Sequence, residues 1–205
     1  MNTVCIAHGN CDYGPGMKLT ELQGRLAQLG GGRVRHLRIR QEQKLQHQAT
    51  GSEDSYAPRI LHVGSLNLCK QLVTLAILGI GADVDGLNEI PTLRHQHLRW
   101  DDRSTNKSLQ DLSQLTYHAQ LETLTLANCH RLLNIDALET CKKLQKLPMQ
   151  ADMLMDILSL GKCTTLQDLV LVQCAVHDIS PVASCKKLST LTISMLRNRY
   201  GHPIA

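Results

Sequence analysis

The sequence predicts an α/β solenoid, in which successive coils of the chain stack and share one apolar interior. Between residues 144 and 191, apolar residues return to the same places every 22 residues. Each period opens with Leu-x-x-Leu-x-Leu, as in Leu166-x-x-Leu169-x-Leu171, and closes with Ile-x-x-Leu-x-x-Cys or a close variant. Such a unit cannot bury its apolar face alone, so the neighbouring units must complete the core.

The composition agrees with a thinly layered core. Hydrophobic residues make up 42% of the 205-residue chain, which has no Phe and a single Trp, so Leu, Ile and Val must fill the interior. A net charge of +4 does not by itself indicate nucleic-acid binding, because such proteins usually carry a dense basic stripe. The sequence contains no run of about 18 apolar residues, so no membrane-spanning helix is expected.

The first 33 residues (1–33) are expected to form an irregular segment and one short helix. Residues 1–18 are rich in glycine and turn signals. Four leucines then recur on one helical face and predict a helix from about 18 to 29, namely Leu19, Leu22, Leu26 and Leu29. Three glycines at 30–32 end it.

The repeat array is predicted to span 34–205 and to contain about six to seven units. Its first strand is Val34-x-x-Leu37-x-Ile39, after which the polar stretch 41–58 is expected to form a surface loop. A second insertion, at 103–108, lengthens a unit in which Gln96 stands where a core Leu belongs.

Each unit is expected to make a short strand and a 3₁₀ turn. The Leu-x-x-Leu-x-Leu half places apolar side chains on one face of a strand, and neighbouring strands should pair in parallel about 4.8 Å apart. The Ile-x-x-Leu-x-x-Cys half should return on the convex side as a 3₁₀ turn. Pro148 removes a backbone donor from an interior strand, so a local irregularity is expected there.

The pattern resembles the leucine-rich repeat superfamily, and in particular the 22-residue subclass found in bacterial internalins and in a regulatory subunit of protein phosphatase 1. The likeness is clearest over residues 171–182, Leu-Val-Gln-Cys-Ala-Val-His-Asp-Ile-Ser-Pro-Val, and covers about four fifths of the chain. The resemblance implies a curved array that presents a concave parallel sheet, and it leaves the partner open because the family binds very diverse ones.

The cysteines are expected to be structural and reduced. Cys141, Cys163 and Cys185 share one repeat position and should stack as small buried core residues, rather than form a disulfide, redox or metal site. Eight cysteines behind an N-terminus without signal-peptide features indicate a reducing compartment, the cytoplasm or alternatively the nucleus.

One short motif has a spacing typical of metal sites, Cys5-x-x-His8-x-x-Cys11. A closed zinc site needs four ligands, and the sequence offers no second pair at a suitable spacing. We therefore expect neither a metal nor another cofactor, although an enzyme built on this motif is the alternative that elemental analysis for zinc would reveal.

The candidate binding surface consists of the strand positions that face away from the core. In the N-terminal half of the sheet these positions are basic and rich in imidazole, whereas in the C-terminal half they are small and neutral. The proposed contact residues are His36, Arg38, Arg40, His95, His97, Arg99 and, at the edge, Trp100. Such a surface suits an acidic or phosphorylated segment of a partner protein; a solvated sheet face with incidental charge is the alternative.

The sequence favours a non-catalytic protein-interaction scaffold, because it contains no nucleophile elbow or other local catalytic signature. Three alternatives remain open: a recognition or regulatory subunit of a phosphatase or ubiquitin ligase, an anion or nucleic-acid binder that uses the basic half, and an enzyme. Because terminal repeats need polar caps, continuation into a longer array or pairing with another subunit is a further expectation.

Overall fold

The computed structural model describes residues 3–8, 24, 26–28, 31–41, 61–62, 66, 68–78, 82–83, 87, 90–99 and 109–195. At 3–8, 31, 40–41, 61–62, 82–83 and 195 the description is limited to the backbone. No helix within these ranges is long and apolar enough to cross a membrane.

Parallel strands dominate the described part of the chain. They are β1 (Thr3–His8), β2 (His36–Gln41), β3 (Leu61–His62), β4 (Thr74–Leu78), β5 (Ala82–Asp83), β6 (His95–Arg99), β7 (Thr123–Ala127), β8 (Lys146–Gln150), β9 (Asp168–Cys174) and β10 (Thr190–Met195). Eight of these described strands form one parallel sheet in the order β1-β2-β4-β6-β7-β8-β9-β10, and β3 pairs with β5 separately. The sheet follows chain order, as predicted for stacked coils.

The return halves of the repeats are 3₁₀ helices, as predicted. They span Ser113–Tyr117, Asp136–Thr140, Leu158–Lys162 and Ser180–Ser184, and a further one spans Gly31–Arg33. Each of the four later helices is preceded by an Asx turn, in which a side-chain oxygen accepts a hydrogen bond of 2.7–2.8 Å from the backbone N–H two residues on. The acceptors are Asp111, Asn134, Asp156 and Asp178.

The core is a set of apolar columns that run across the coils. One column contains the middle core residue of seven strands, six of them leucine, and its members are Leu37, Leu75, Gln96, Leu124, Leu147, Leu169 and Leu191. All but Leu191 are buried, so the predicted alignment of leucines is confirmed. Leu191 is 45% exposed because β10 is the last strand in the described sheet. The expected continuation or pairing at that end stays a prediction.

Two sequence departures have structural consequences. Pro148 lies inside β8, and between β7 and β8 only Thr123↔Lys146 and Leu126↔Met149 keep their register pairing, whereas β8 and β9 pair along the whole of β8. The predicted irregularity therefore affects the pairing of β8 with β7 and not its pairing with β9. Gln96 fills its leucine position with an amide that is fully buried and has no hydrogen-bond partner among the described residues.

The N-terminal segment contains a strand that the sequence did not predict. Residues 1–18 were expected to be irregular, but β1 pairs in parallel with β2 from Thr3↔His36 to His8↔Gln41. The predicted helix at about 18 to 29 is supported where it is described, because 24 and 26–28 are helical and Leu26 is buried. The boundary at residue 33 stays a prediction. The insertion predicted at 41–58 begins too early, because Gln41 still belongs to β2; residues 42–58 and the insertion 103–108 lie outside the described residues.

The cysteines of the later repeats are buried thiols that connect successive coils. The Sγ atom of Cys163 donates to the carbonyl oxygen of Leu138 at 3.3 Å, and that of Cys185 donates to Leu160 at 3.2 Å. Burial raises the pKa of Cys163 and of Cys129 to about 12. These thiols are protonated and unpaired, as the sequence predicted for core residues.

Candidate partner-binding surface

The side of the sheet opposite the core is the predicted concave face. On every interior strand the alternate side chains are buried, and those between them are partly or fully exposed. The register aligns these outward residues in rows that cross the strands. The first row contains His36, Thr74, His95, Thr123, Lys146 and Asp168, and the second begins with Arg38, Ala76, His97 and Thr125.

Hydrogen bonds between neighbouring strands orient the histidines of this face. The Nδ1 atom of His36 lies 3.0 Å from Oγ1 of Thr74, and that of His95 lies 3.3 Å from Oγ1 of Thr123. In the second row, Nδ1 of His97 lies 2.9 Å from Oγ1 of Thr125. Each imidazole is thereby held by one ring nitrogen, so the other nitrogen is the one suited to contact a ligand.

A groove of about 520 Å³ lies over this face and shows that the face is concave between β2 and β7. Its lining combines basic and imidazole side chains with small and apolar ones: His36, Arg38, His97 and Arg99 on one hand, and Thr74, Ala76, Leu78, Thr125 and Ala127 on the other. Leu37 and Leu98 complete the lining. No acidic residue is among these described lining residues.

The positive charge of the groove is not balanced by the described residues. Arg38 and Arg99 are exposed, and the ion pairs of the described part of the chain join Arg94 to Glu122, His130 to Asp152 and Lys146 to Asp168. The pKa of His97 is lowered, first by burial and then by the charges of His95 and Arg38. The groove is therefore an environment that disfavours a further cation and favours an anion.

The C-terminal half of the concave face is electrostatically different. Lys146 on β8 and Asp168 on β9 form an ion pair, with Nζ and Oδ2 3.1 Å apart. Hydrogen bonds from Lys146 and Thr190 lower the pKa of Asp168. Next to this pair the outward side chains of β9 are Val170 and Val172. The contrast predicted from sequence between a basic half and a neutral half is therefore present.

The structure brings together four of the seven predicted contact residues. His36, Arg38, His97 and Arg99 line one groove, whereas His95 lies on the same face without lining it. The side chains of Arg40 and Trp100 lie outside the described part, so their proposed contacts stay predictions. The threonines that orient the histidines were not predicted as site residues. The sequence indicates these threonines only by their place, since they occupy the alternate strand positions that face away from the core. The small residues Ala76 and Ala127 occupy such positions as well.

Metal ligation has no support in the described residues. Among them, no three His, Cys, Asp or Glu side chains converge in a way that could hold a metal ion. The motif Cys5-x-x-His8-x-x-Cys11 lies outside the described side chains, and of its residues only Cys5 and His8 have a described backbone, in β1.

The strand order, the 22-residue coils and the 3₁₀ returns define a leucine-rich-repeat solenoid. Among solved structures, the chain is similar to an internalin (inlF) from Listeria monocytogenes, with 21% sequence identity and a TM-score of 0.55. The similarity covers 77% of this chain and 40% of the internalin chain, so less than half of the internalin chain is matched. The likeness establishes the fold.

Two further structures are similar to a lesser degree. Internalin C2 (inlC2) from Listeria monocytogenes is 15% identical over 65% of this chain and 76% of its own, with a TM-score of 0.34. The plant peptide hormone receptor RGFR1, in complex with RGF2, is 14% identical over 79% of this chain and 28% of its own, with a TM-score of 0.43. At these TM-scores neither adds to the fold assignment. No family model matches the sequence, and no curated protein sequence matches it.

Proposed function

We propose that the protein is a non-catalytic scaffold that binds another protein on its concave face, over β2, β4, β6 and β7. The observation that carries this proposal is the groove of about 520 Å³, in which oriented histidines and arginines without an ion-pair partner among the described residues border an apolar floor. Interfaces commonly combine such a floor with charged anchors, because the floor supplies affinity and the charges supply specificity.

The partner segment is expected to be acidic or phosphorylated, since Arg38 and Arg99 meet no acidic side chain among the described residues. Arginine is suited to such a segment because its planar fork binds carboxylate and phosphate oxygens in pairs. The cytoplasmic location expected from the sequence remains part of this proposal, and recovery of the tagged protein from an exported fraction would contradict it.

Affinity capture from cells that express the tagged protein, followed by mass spectrometry, identifies the partner. The combined variant Arg38→Glu, Arg40→Glu and Arg99→Glu is expected to lose most of the captured protein. A matched control reverses three exposed lysines in the 3₁₀ helices and the turns after them, Lys142→Glu, Lys162→Glu and Lys187→Glu, and so changes the net charge by the same amount. The control is expected to capture the partner normally.

Unchanged capture by the arginine variant would discard the contact surface, and equal loss in both variants would mean that overall charge decides binding. Capture of nucleic acid instead of protein, with an affinity that falls steeply as salt rises, would favour the anion-binder alternative. Co-purification of a phosphatase or ubiquitin-ligase subunit would make the scaffold a recognition subunit of that assembly.

A further inference from the structure

Three nitrogen-bearing side chains lie on the two strands that flank one small residue of the groove lining. Ala76 on β4 is paired in register with Arg38 on β2 and with His97 on β6. Because neighbouring strands lie about 4.8 Å apart, the backbones of Arg38 and His97 are separated by about 10 Å. Arg99 lies on the same face of β6 two residues beyond His97. The methyl side chain of Ala76 therefore leaves a space that these side chains border.

The space above Ala76 has the electrostatic character of an anion-binding site. Arg38 and Arg99 have no ion-pair partner in the described part of the chain, and the groove lining contains no acidic residue there. The pKa of His97 is lowered in part by Arg38, which means that the two groups act on each other across Ala76. Thr125 holds the His97 ring from the far side, at 2.9 Å.

We propose that the space above Ala76, framed by Arg38, His97 and Arg99, binds a phosphoryl group carried by a side chain of the partner protein; we call it the phosphoryl site. This inference rests on the proposed function. A phosphoryl group presents three terminal oxygens in a tetrahedral arrangement, which suits donors that come from Arg38 on one side of Ala76 and from His97 and Arg99 on the other. A carboxylate has two coplanar oxygens, which one arginine satisfies alone, so it would leave the other donors unused.

The rest of the groove indicates that the phosphoryl group is attached to a polypeptide. A free phosphate ion is only a few times the size of a water molecule, which occupies about 30 Å³, and would leave most of the groove empty. Leu78 and Ala127 extend the floor beyond the phosphoryl site and suit the apolar part of a neighbouring residue. Single-stranded nucleic acid, which usually stacks its bases on aromatic side chains, is tested separately below.

The test uses the full chain and four immobilised or labelled probes. They are a degenerate peptide pool with a central phosphoserine, phosphothreonine or phosphotyrosine, the same pool with Glu at that place, inorganic phosphate, and single-stranded DNA. The wild-type protein is expected to retain the phosphorylated pool about tenfold or more better than the Glu pool, which corresponds to the loss of one charge-assisted hydrogen bond. Inorganic phosphate should bind weakly and compete.

Two variants and one matched control locate the site. Ala76→Leu fills the space without changing any charge and is expected to abolish the preference for the phosphorylated pool. Val170→Phe adds a similar bulk on β9, where Val170 faces outward between Pro148 and Thr192 in the register, and should leave the preference intact. Arg99→Gln removes the charge and the paired donors of one guanidinium from an exposed position. It should reduce the preference, which keeps the test decisive if Ala76→Leu folds poorly.

The outcomes separate this inference from the proposed function. Equal retention of the phosphorylated and Glu pools, or preferential retention of DNA, would overturn the phosphoryl site. If phosphatase treatment of the captured partner leaves its binding unchanged while the triple arginine variant still loses it, the phosphoryl site is wrong and the scaffold proposal stands. If neither phosphatase treatment nor the triple arginine variant weakens binding, the phosphoryl site and the proposed contact surface are both wrong.

Discussion

The imidazole of His97 and the hydroxyl of Thr125 are joined across two strands, with Nδ1 and Oγ1 2.9 Å apart. His97 belongs to β6 and Thr125 to β7, and the register pairs the two residues directly. A threonine of one coil therefore orients a histidine of the preceding coil. The arrangement recurs between His36 and Thr74. Neutral threonine hydroxyls therefore orient the imidazoles of the concave face.

Thr125→Val removes this orienting hydroxyl without a change of charge or shape. The variant is expected to bind the captured partner about two- to tenfold more weakly, which is the range set by one neutral hydrogen bond. Isothermal titration calorimetry measures the change in Kd. Thr192→Val, in the same row of the face but on β10, is the matched control and should bind like the wild type. Equal effects of the two variants would remove Thr125 from the site.

Gln96→Leu is expected to stabilise the fold. Gln96 is fully buried in a column of leucines, and both polar atoms of its amide lack a hydrogen-bond partner among the described residues. Relieving such a buried amide should raise the free energy of unfolding by about 1–3 kcal/mol, measured by urea denaturation. Leu124→Gln, the reverse change on the next strand, should destabilise the fold. Loss of stability in Gln96→Leu would show that the amide has a partner in the protein.

His118 is expected to make stability depend on pH. It is fully buried at the repeat position that holds Cys141 in the next coil, and burial lowers its pKa below 6.5, with the Leu87 backbone opposing the shift. The folded state therefore binds fewer protons than the unfolded state. The stability contribution is complete above about pH 6.5, the usual pKa of histidine, and declines as pH falls below it.

His118→Cys replaces the imidazole with the thiol that neighbouring coils use. Urea denaturation across the acidic range should show a smaller loss of stability in the variant than in the wild type. The pKa of His97 is lowered as well, so His97 also contributes to the pH dependence of stability. The variant His97→Gln measures that contribution separately. An identical pH dependence in wild type and His118→Cys would contradict the assignment.

The buried thiols predict the opposite behaviour in alkali. Burial raises the pKa of Cys163 and Cys129 to about 12, above the value of 9.0 that applies when they are exposed. The folded state keeps protons that the unfolded state releases, so stability is complete below about pH 9 and declines as pH rises beyond it. Cys129→Ala should flatten this decline. In the native protein, a thiol reagent at about pH 8 should modify these cysteines at the rate of unfolding.

Much of the fold follows from the sequence because one spacing governs local structure and stacking together. The places of Leu147 and Leu169 in successive periods determine which strand faces are buried, and the same parity determines which residues face the groove. The strand β1 was not predicted because residues 3–8 lack the leucine spacing and lie beside glycine-rich sequence. Their pairing with β2 depends on contact with the array.

The groove could be predicted only in part. His36 and Thr74 are 38 residues apart, whereas His95 and Thr123 are 28 apart, because insertions of different length separate the strands. A fixed 22-residue period therefore does not reveal which outward residues become neighbours. The space above Ala76 depends on this register and on the length of the arginines beside it, neither of which appears in the repeat pattern.

Hydroxyl-radical footprinting of the protein with and without its captured partner tests most directly whether the concave face makes the contact. The groove residues His97 and Leu78 are expected to become strongly protected from oxidation in the complex. Met155 and Leu158, which are 64% and 65% exposed away from the groove, should oxidise as they do in the free protein. Protection of Met155 and Leu158 with no change at His97 and Leu78 would contradict the account.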